Sequence, residues 1–280
     1  MQHFREYIKT LLSDVYSEEE IHVFTYTVLE KITGYTKTHL LADKNIILSE
    51  SQKNDAEEMV LRLKKGEPIQ YILGETKFFG LKFTVNPSVL IPRPETEELV
   101  QWILNDLPPN PLKGEYLDVG TGSGCIAISL KKHLPNATVS AIDISADALK
   151  IAKENAKLND VKIDFIQKDI LKTDILDKKY DIIVSNPPYV PQNDKQEMHS
   201  NVLDYEPHIA LFVEDNNPLV FYRKIAELAK NNLTKHGALY FEIHKNQGEN
   251  CQRMLSSLGF KNIQIKKDIS GNDRMIKANV

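Results

Sequence analysis

The chain has 280 residues, 41% of them hydrophobic, and a formal net charge of −4 whose acidic excess lies in residues 1–75, with 9 Lys/Arg against 13 Asp/Glu and 26 against 26 in the remainder. That is enough apolar material for one large or two modest cores, but no apolar run is long enough to span a bilayer or to act as a secretory leader, and an acidic N-terminal part argues against tight sequence-independent binding of nucleic acid. Two distant cysteines, Cys125 and Cys251, and eight scattered histidines offer neither a disulfide framework nor metal-ligand spacing, so no metal is expected and a reducing, cytoplasmic setting is.

Residues 1–75 read as a helical bundle. Phe4, Tyr7, Ile8, Leu11 and Leu12 recur at helical spacing, and Ser17 with Glu20 forms a capping box ahead of Val23, Val28 and Leu29. Ser49 or Ser51 caps a third helix through Ala56, Met59, Val60 and Leu63, closed by Gly66. Lys77–Phe79 and Leu81–Val85 flank Gly80 as a hairpin, so 76–92 is expected to connect the bundle to a larger domain over 93–280. That domain opens with a helix from about Glu95 to Leu104, and the Pro/Asn segment 106–111 separates this helix from the next strand. Strands and helices then alternate, which predicts a mostly parallel sheet with helices on both faces. The strands are expected at Tyr116–Val119, Thr138–Ile142, Ile163–Gln167, 180–185, Ala238–Ile243, Asn262–Lys266 and Arg274–Ala278. The helices are expected at Cys125–Leu134, Ala146–Leu158, Pro218–Asn232 and Gly248–Leu258. The polar stretch 191–216 reads as a long loop, a lid or disordered.

Two stretches carry chemistry. Tyr180-Asp181-Ile182-Ile183-Val184-Ser185 is an apolar, β-branched run suited to a strand buried on both faces. It is stopped by Asn186-Pro187-Pro188-Tyr189, because proline has no N–H to continue a ladder and forces the preceding residue into extended geometry. Asn186 is thereby held at the carboxyl end of a strand, where open α/β sheets bind ligands. Its amide oxygen and the Pro187 carbonyl are two acceptors able to hold both hydrogens of a planar NH2 group, and Tyr189 offers a flat face against which such a group can stack. The pattern leaves open whether the group is an amide or a base amine. The second stretch, Gly120-Thr121-Gly122-Ser123-Gly124, follows a strand and opens a helix, so backbone can approach a ligand closely. Asp143, at the end of the next strand, suits a bidentate hold on ribose hydroxyls. The spacing is G-x-G-x-G, not the G-x-G-x-x-G of dinucleotide sites, with Asp118 two residues ahead.

This loop resembles the S-adenosylmethionine loop of the class I methyltransferases. The resemblance implies that Gly120–Gly124 pass the methionine moiety, that Asp143 holds the ribose, and that Asp169 and Ile170 flank the adenine; Ile170 also fits simple packing. More specific likenesses run the length of the chain. Gly66-Glu67-Pro68-Ile69-Gln70-Tyr71-Ile72-Leu73-Gly74, Phe78-Phe79-Gly80, Leu90-Ile91-Pro92-Arg93-Pro94-Glu95-Thr96-Glu97, Tyr205-Glu206-Pro207 and Gly271-Asn272-Asp273-Arg274 resemble the PrmC/HemK family. That resemblance implies a class I, Rossmann-like, seven-stranded α/β methyltransferase domain over 93–280 behind an N-terminal helical docking domain. It implies methylation, from S-adenosylmethionine, of the side-chain nitrogen (N5) of the Gly-Gly-Gln glutamine in class 1 peptide release factors, acting on translation termination. Asn186, Pro187 and Tyr189 would then be the catalytic set, with Pro188 and Arg93 also binding substrate and Asn186 bordering the cofactor. Arg93, Glu95 and Glu97 are expected to line the site. Glutamine methylation of a ribosomal protein and amine methylation of DNA or RNA bases are the alternatives. A monomer with no direct nucleic-acid or membrane partner is expected.

Overall fold

The computed structural model describes residues 2–43, 46–108 and 113–280; part of the 106–111 separator therefore lies outside the described residues. The chain divides into two compact units, Met1–Gly74 with His199–Tyr205, and Glu75–Met198 with Glu206–Val280.

The first unit contains helices α1 (Gln2–Leu12), α2 (Glu18–Thr33), α3 (Lys37–Ala42), α4 (Glu50–Lys64) and α5 (Ile69–Leu73). Ser17 and Ser49 each close a full capping box, with Glu20 and Gln52 respectively, satisfying N–H groups that the first turn leaves orphaned. Ile8, Leu12, Val28, Val60 and Leu63 form the core, whereas Val23, which shares the helical period, is exposed. The two short helices α3 and α5 are too brief for periodicity to reveal.

The second unit begins with the hairpin β1 (Glu75–Phe78) and β2 (Leu81–Thr84). Phe79 and Gly80 both have positive φ, 50° and 74°, the left-handed pair that a two-residue turn requires. Then come α6 (Pro94–Asp106), β3 (Glu115–Val119), α7 (Cys125–His133), β4 (Thr138–Asp143), α8 (Ala146–Leu158), β5 (Asp164–Gln167) and β6 (Tyr180–Ser185). After β7 (Val190–Pro191) comes α9 (Ser200–Tyr205), which belongs to the first unit, and the second unit resumes with β8 (Phe212–Val213), α10 (Val220–Asn232), β9 (Leu233–Glu242), α11 (Gly248–Ser257), β10 (Lys261–Lys267) and β11 (Asp273–Asn279).

Seven strands form one sheet in the order β10-β11-β9-β6-β3-β4-β5. All neighbours pair in parallel except β11, which runs antiparallel to both β9 and β10. Burial on both faces explains the continuous apolar strands. Ile182 and Val184 of β6 point into one core with Leu99, Trp102 and Ile126. Ile183, between them, points into the other with Tyr222, Ile225 and Met254. Strand β9 starts at Leu233, five residues before the expected Ala238, and its pairing with β6 shifts register between Tyr180 and Ile182.

The stretch 191–216 is not a featureless loop. Its ends pair, Val190 with Phe212 and Pro191 with Val213, and between them lie 3-10 turns at Gln192–Glu197 and His208–Ala210 as well as α9. Leu211, Phe212 and Val213 are buried. Elements of two to six residues carry no periodic signal, so the polar composition hides them.

Candidate active site

Strand β3 hands over to α7 through a loop whose three glycines, Gly120, Gly122 and Gly124, have φ of 73°, 54° and 82°. An L-residue is strained there. At Gly124 space is tight as well, because a Cβ would meet Ile128 Cδ1 at 2.9 Å and Ala152 Cβ at 3.2 Å, so these neighbours would have to shift. The loop is sewn to the end of β4: Gly120 and Thr121 donate backbone N–H groups to the Ile142 carbonyl at 2.8 and 3.0 Å. Asp143 completes the seam. Its Oδ2 accepts from Gly122 N–H at 2.8 Å and its Oδ1 from Ser145 N–H at 2.9 Å. Burial raises its carboxyl above the ordinary value, and the Ser145 and Gly122 hydrogen bonds work in the opposite direction. Behind the loop, Asp118 is 1% exposed. Its Oδ2 accepts from the Thr121 hydroxyl at 2.6 Å and from Ala127 N–H at 3.3 Å, while Oδ1 has no partner. Burial pushes this carboxyl up to about 7.

Asn155, fully buried on α8, ties two further pieces to this loop. Its oxygen accepts from Thr84 N–H at 2.6 Å, and its nitrogen donates to the carbonyls of Thr84 and Ser123, both at 2.9 Å. The hairpin and the glycine loop thus share one clamp.

The second half of the site stands at the end of β6. The Ser185 hydroxyl donates to the Val119 carbonyl at 2.6 Å, which pins the strand end beside the glycine loop. Asn186 is next, its Nδ2 donating to the Thr96 hydroxyl oxygen at 3.3 Å. Thr96 in turn donates to Glu242 Oε2 at 2.6 Å, and the Tyr189 hydroxyl donates to Glu242 Oε1 at 3.1 Å. Burial raises the Glu242 carboxyl; the Thr96 hydrogen bond, the Arg274 charge and the Tyr189 hydrogen bond oppose the rise. Burial first, then the neighbouring Glu242, drives the Tyr189 phenol far upward, so it stays a neutral donor. Both halves open on one cavity of about 360 Å³, within the range of small-molecule sites.

The family models fit both parts of the chain. The PrmC N-terminal domain matches residues 4–74, and the methyltransferase small domain matches residues 96–205. The release factor glutamine methyltransferase of Flavobacterium psychrophilum is 53% identical over 281 residues, covering 100% of this chain and 99% of that protein. The chain belongs to the release factor glutamine methyltransferase family. The protein of the same name from Bacteroides thetaiotaomicron is 46% identical, with 100% of each chain covered. The crystal structure of a methyltransferase from Pyrococcus furiosus, at 17% identity and a TM-score of 0.54, covers 72% of this chain and 90% of that one, a likeness of fold alone.

For this family member, the structure gathers most of the residues singled out from sequence onto the cavity wall. From the cofactor set these are Gly120, Thr121, Gly122 and Ser123, then Asp143, Asp169 and Ile170. From the acceptor set they are Arg93, Asn186, Pro187 and Pro188. Gly124 is the N-cap of α7 behind the wall. Tyr189 is also set back, its hydroxyl spent on Glu242. Glu95 and Glu97 do not line the cavity as expected: Glu97 turns to the hairpin, where its Oε1 accepts from Phe79 N–H at 2.7 Å. Asp169 caps the turn after it, accepting from Leu171 N–H at 3.0 Å.

Several site residues are not evident from the sequence. Phe221 and Ile225 of α10 line the cavity, where helical spacing marks them only as core. Glu206, buried, accepts from Ile91 N–H at 3.2 Å and pairs with Arg93, joining two loops of the wall. Thr96 and Glu206 lie inside motifs already singled out, but nothing local shows their partners. Glu242, at the end of β9, carries no signal.

Proposed function

We propose that this chain transfers the methyl group of S-adenosylmethionine to the side-chain amide nitrogen of the glutamine in the Gly-Gly-Gln motif of class 1 peptide release factors. The observation that carries the reading is the juxtaposition of Asn186 and Pro187 with the glycine loop and Asp143 on the wall of one cavity. The family supplies the glutamine and the release factor; the residues supply the chemistry. The donor set fits the cofactor: Gly120–Gly124 would admit its methionine end, Asp143 its ribose, and Asp169 with Ile170 its adenine. When bound, S-adenosylmethionine supplies an electrophilic methyl group on sulfur.

The chain's own residues do the rest. A carboxamide nitrogen is a poor nucleophile because its lone pair is delocalised into the carbonyl. Asn186 Oδ1 and the Pro187 carbonyl, accepting one N–H each, orient the nitrogen and favour positive charge developing on it. Asn186 and Pro187 are held for this by the Pro-Pro backbone and by the Ser185 anchor on Val119. Tyr189 braces the corner through Glu242. In this reading residues 1–75 dock the release factor, 76–92 connect, and 93–280 carry out transfer, in the cytoplasm and as a monomer.

The test is to incubate the protein with methyl-labelled S-adenosylmethionine and a release factor, alongside the same factor with its Gly-Gly-Gln glutamine replaced. Label on the first and not on the second is expected. Label on a ribosomal protein or a nucleic acid instead would overturn the acceptor assignment.

A further inference from the structure

The two ends of the Asn186 amide do opposite things: the oxygen accepts and the nitrogen donates. Holding an NH2 group requires the oxygen to face the cavity. Asn186 cannot settle this alone, since its ends are alike in size and shape. Its neighbours can.

Glu242 is 1% exposed and Thr96, on the cavity wall, is 3% exposed, so the hydrogen bond between them is closed to bulk water. An ionised carboxylate only accepts hydrogen bonds. Glu242 uses one oxygen for the Tyr189 hydroxyl at 3.1 Å and the other for the Thr96 hydroxyl at 2.6 Å. Thr96 has a single hydroxyl proton, and Glu242 takes it. What remains on Thr96 Oγ1 is lone pairs, so the Asn186 atom 3.3 Å away has to be the donor, Nδ2. The amide oxygen is thereby turned the other way. Were Glu242 a neutral acid donating to Thr96, the chain would run in reverse. Thr96 would then donate to Asn186 Oδ1, and an NH2 group would face the cavity, repelling the acceptor's own NH2. Burial raises the Glu242 carboxyl, and the Thr96 hydrogen bond, the Arg274 charge and the Tyr189 hydrogen bond oppose that rise and favour the carboxylate; Arg274 is itself held by Asp268, Nε to Oδ2 at 3.0 Å.

We propose that Thr96 and Glu242 are positioning residues that lock the Asn186 side chain with its oxygen toward the cavity, making the site selective for an acceptor bearing an NH2 group. The inference rests on the proposed function for its meaning and on the Glu242–Thr96–Asn186 chain for its geometry. The loop-end asparagine is thus oriented by a carboxylate two hydrogen bonds away, on a different strand.

The experiment uses the full chain and three variants, Thr96→Val, Thr96→Ser and Asn186→Asp. Valine matches threonine in shape without the hydroxyl, and serine keeps the hydroxyl. Two readouts are taken. In 15N-resolved NMR spectra, the Asn186 side-chain NH2 pair, identified by its loss in Asn186→Asp, is expected to show one proton slowed in exchange in the wild type and in Thr96→Ser, but not in Thr96→Val. In the methyl-transfer assay, kcat of Thr96→Val is expected to fall by roughly tenfold to a hundredfold, with cofactor affinity by calorimetry little changed and most of kcat recovered in Thr96→Ser. An Asn186 NH2 signal unaltered by Thr96→Val, or a kcat equal to that of the wild type, would overturn the inference. If the wild type itself labels no release factor, the proposed function fails, while the NMR comparison still decides the orientation. Should Thr96→Val not fold, Thr96→Ala removes the same hydroxyl and repeats both readouts.

Discussion

Asp143→Ala is the sharpest test of the cofactor half of the site. Each oxygen of the Asp143 carboxylate is already fixed by one backbone N–H, from Gly122 at 2.8 Å and Ser145 at 2.9 Å. A carboxylate oxygen has a second lone pair, so a fixed, half-buried carboxylate on a cavity wall can still take two hydroxyls from a ribose. Hydrogen bonds to a charged group contribute about 1.5–3 kcal/mol each, so losing two, with water partly replacing them, costs about 3 kcal/mol and weakens binding roughly a hundredfold. Titration calorimetry with S-adenosylhomocysteine reads this directly. Asp143→Asn is expected to lose comparable affinity, because an amide can accept with only one end and one of the two backbone N–H groups would then face an NH2. Thermal unfolding of the unliganded variants should change little, since the freed N–H groups lie beside a solvent-reached cavity. An Asp143→Ala protein that binds as tightly as the wild type would refute the reasoning and reduce Asp143 to a seam between the loop and β4.

Three further outcomes are expected. Asn186→Ala should abolish methyl transfer while leaving calorimetric cofactor affinity within about severalfold, because an acceptor-orienting hydrogen bond acts on the reacting nitrogen and not on the cofactor; an active variant would remove Asn186 from the mechanism. Asp118 has a folded-state carboxyl raised from 3.8 to about 7 by burial, so the unfolded chain gives up this proton first and the residue makes the fold less stable as pH rises from about 4 to about 7. Asp118→Asn keeps one acceptor for Thr121 and Ala127 and should raise stability relative to the wild type by up to about 4 kcal/mol at pH 8, with little gain at pH 4; an equal gain at both, by urea unfolding, would contradict the assignment. Asn155→Ala deletes three hydrogen bonds, one buried and two part-buried, leaves the Thr84 and Ser123 backbone groups without this partner, and should lower stability by about 3 kcal/mol; an unchanged melting temperature would show that the clamp is dispensable.

Local chemistry makes much of this molecule readable from its residues. Ser17 with Glu20 announces a capping box because both partners lie within one turn. Gly120, Gly122 and Gly124 announce a loop whose backbone a ligand can approach closely, because glycine carries no side chain. Ile182 to Val184, stopped by Pro187 and Pro188, announce a buried strand with Asn186 at its exit. In each case the determining contacts span a few positions of chain. The order within 191–216 is illegible for the same reason: its organising pairs, Val190 with Phe212 and Pro191 with Val213, are distant in sequence and too short to leave a period.

What only the tertiary structure decided are the partners joined across the fold. Thr96 on α6 meets Asn186 after β6 and Glu242 at the end of β9 because those two strands are neighbours in the sheet. Asn155 on α8 reaches both Thr84 and Ser123, and Glu206 reaches Ile91 and Arg93. Sequence alone identifies the donors and acceptors. Which proton each one holds, and therefore which way the Asn186 amide faces, depends on what burial places beside them after water has been excluded.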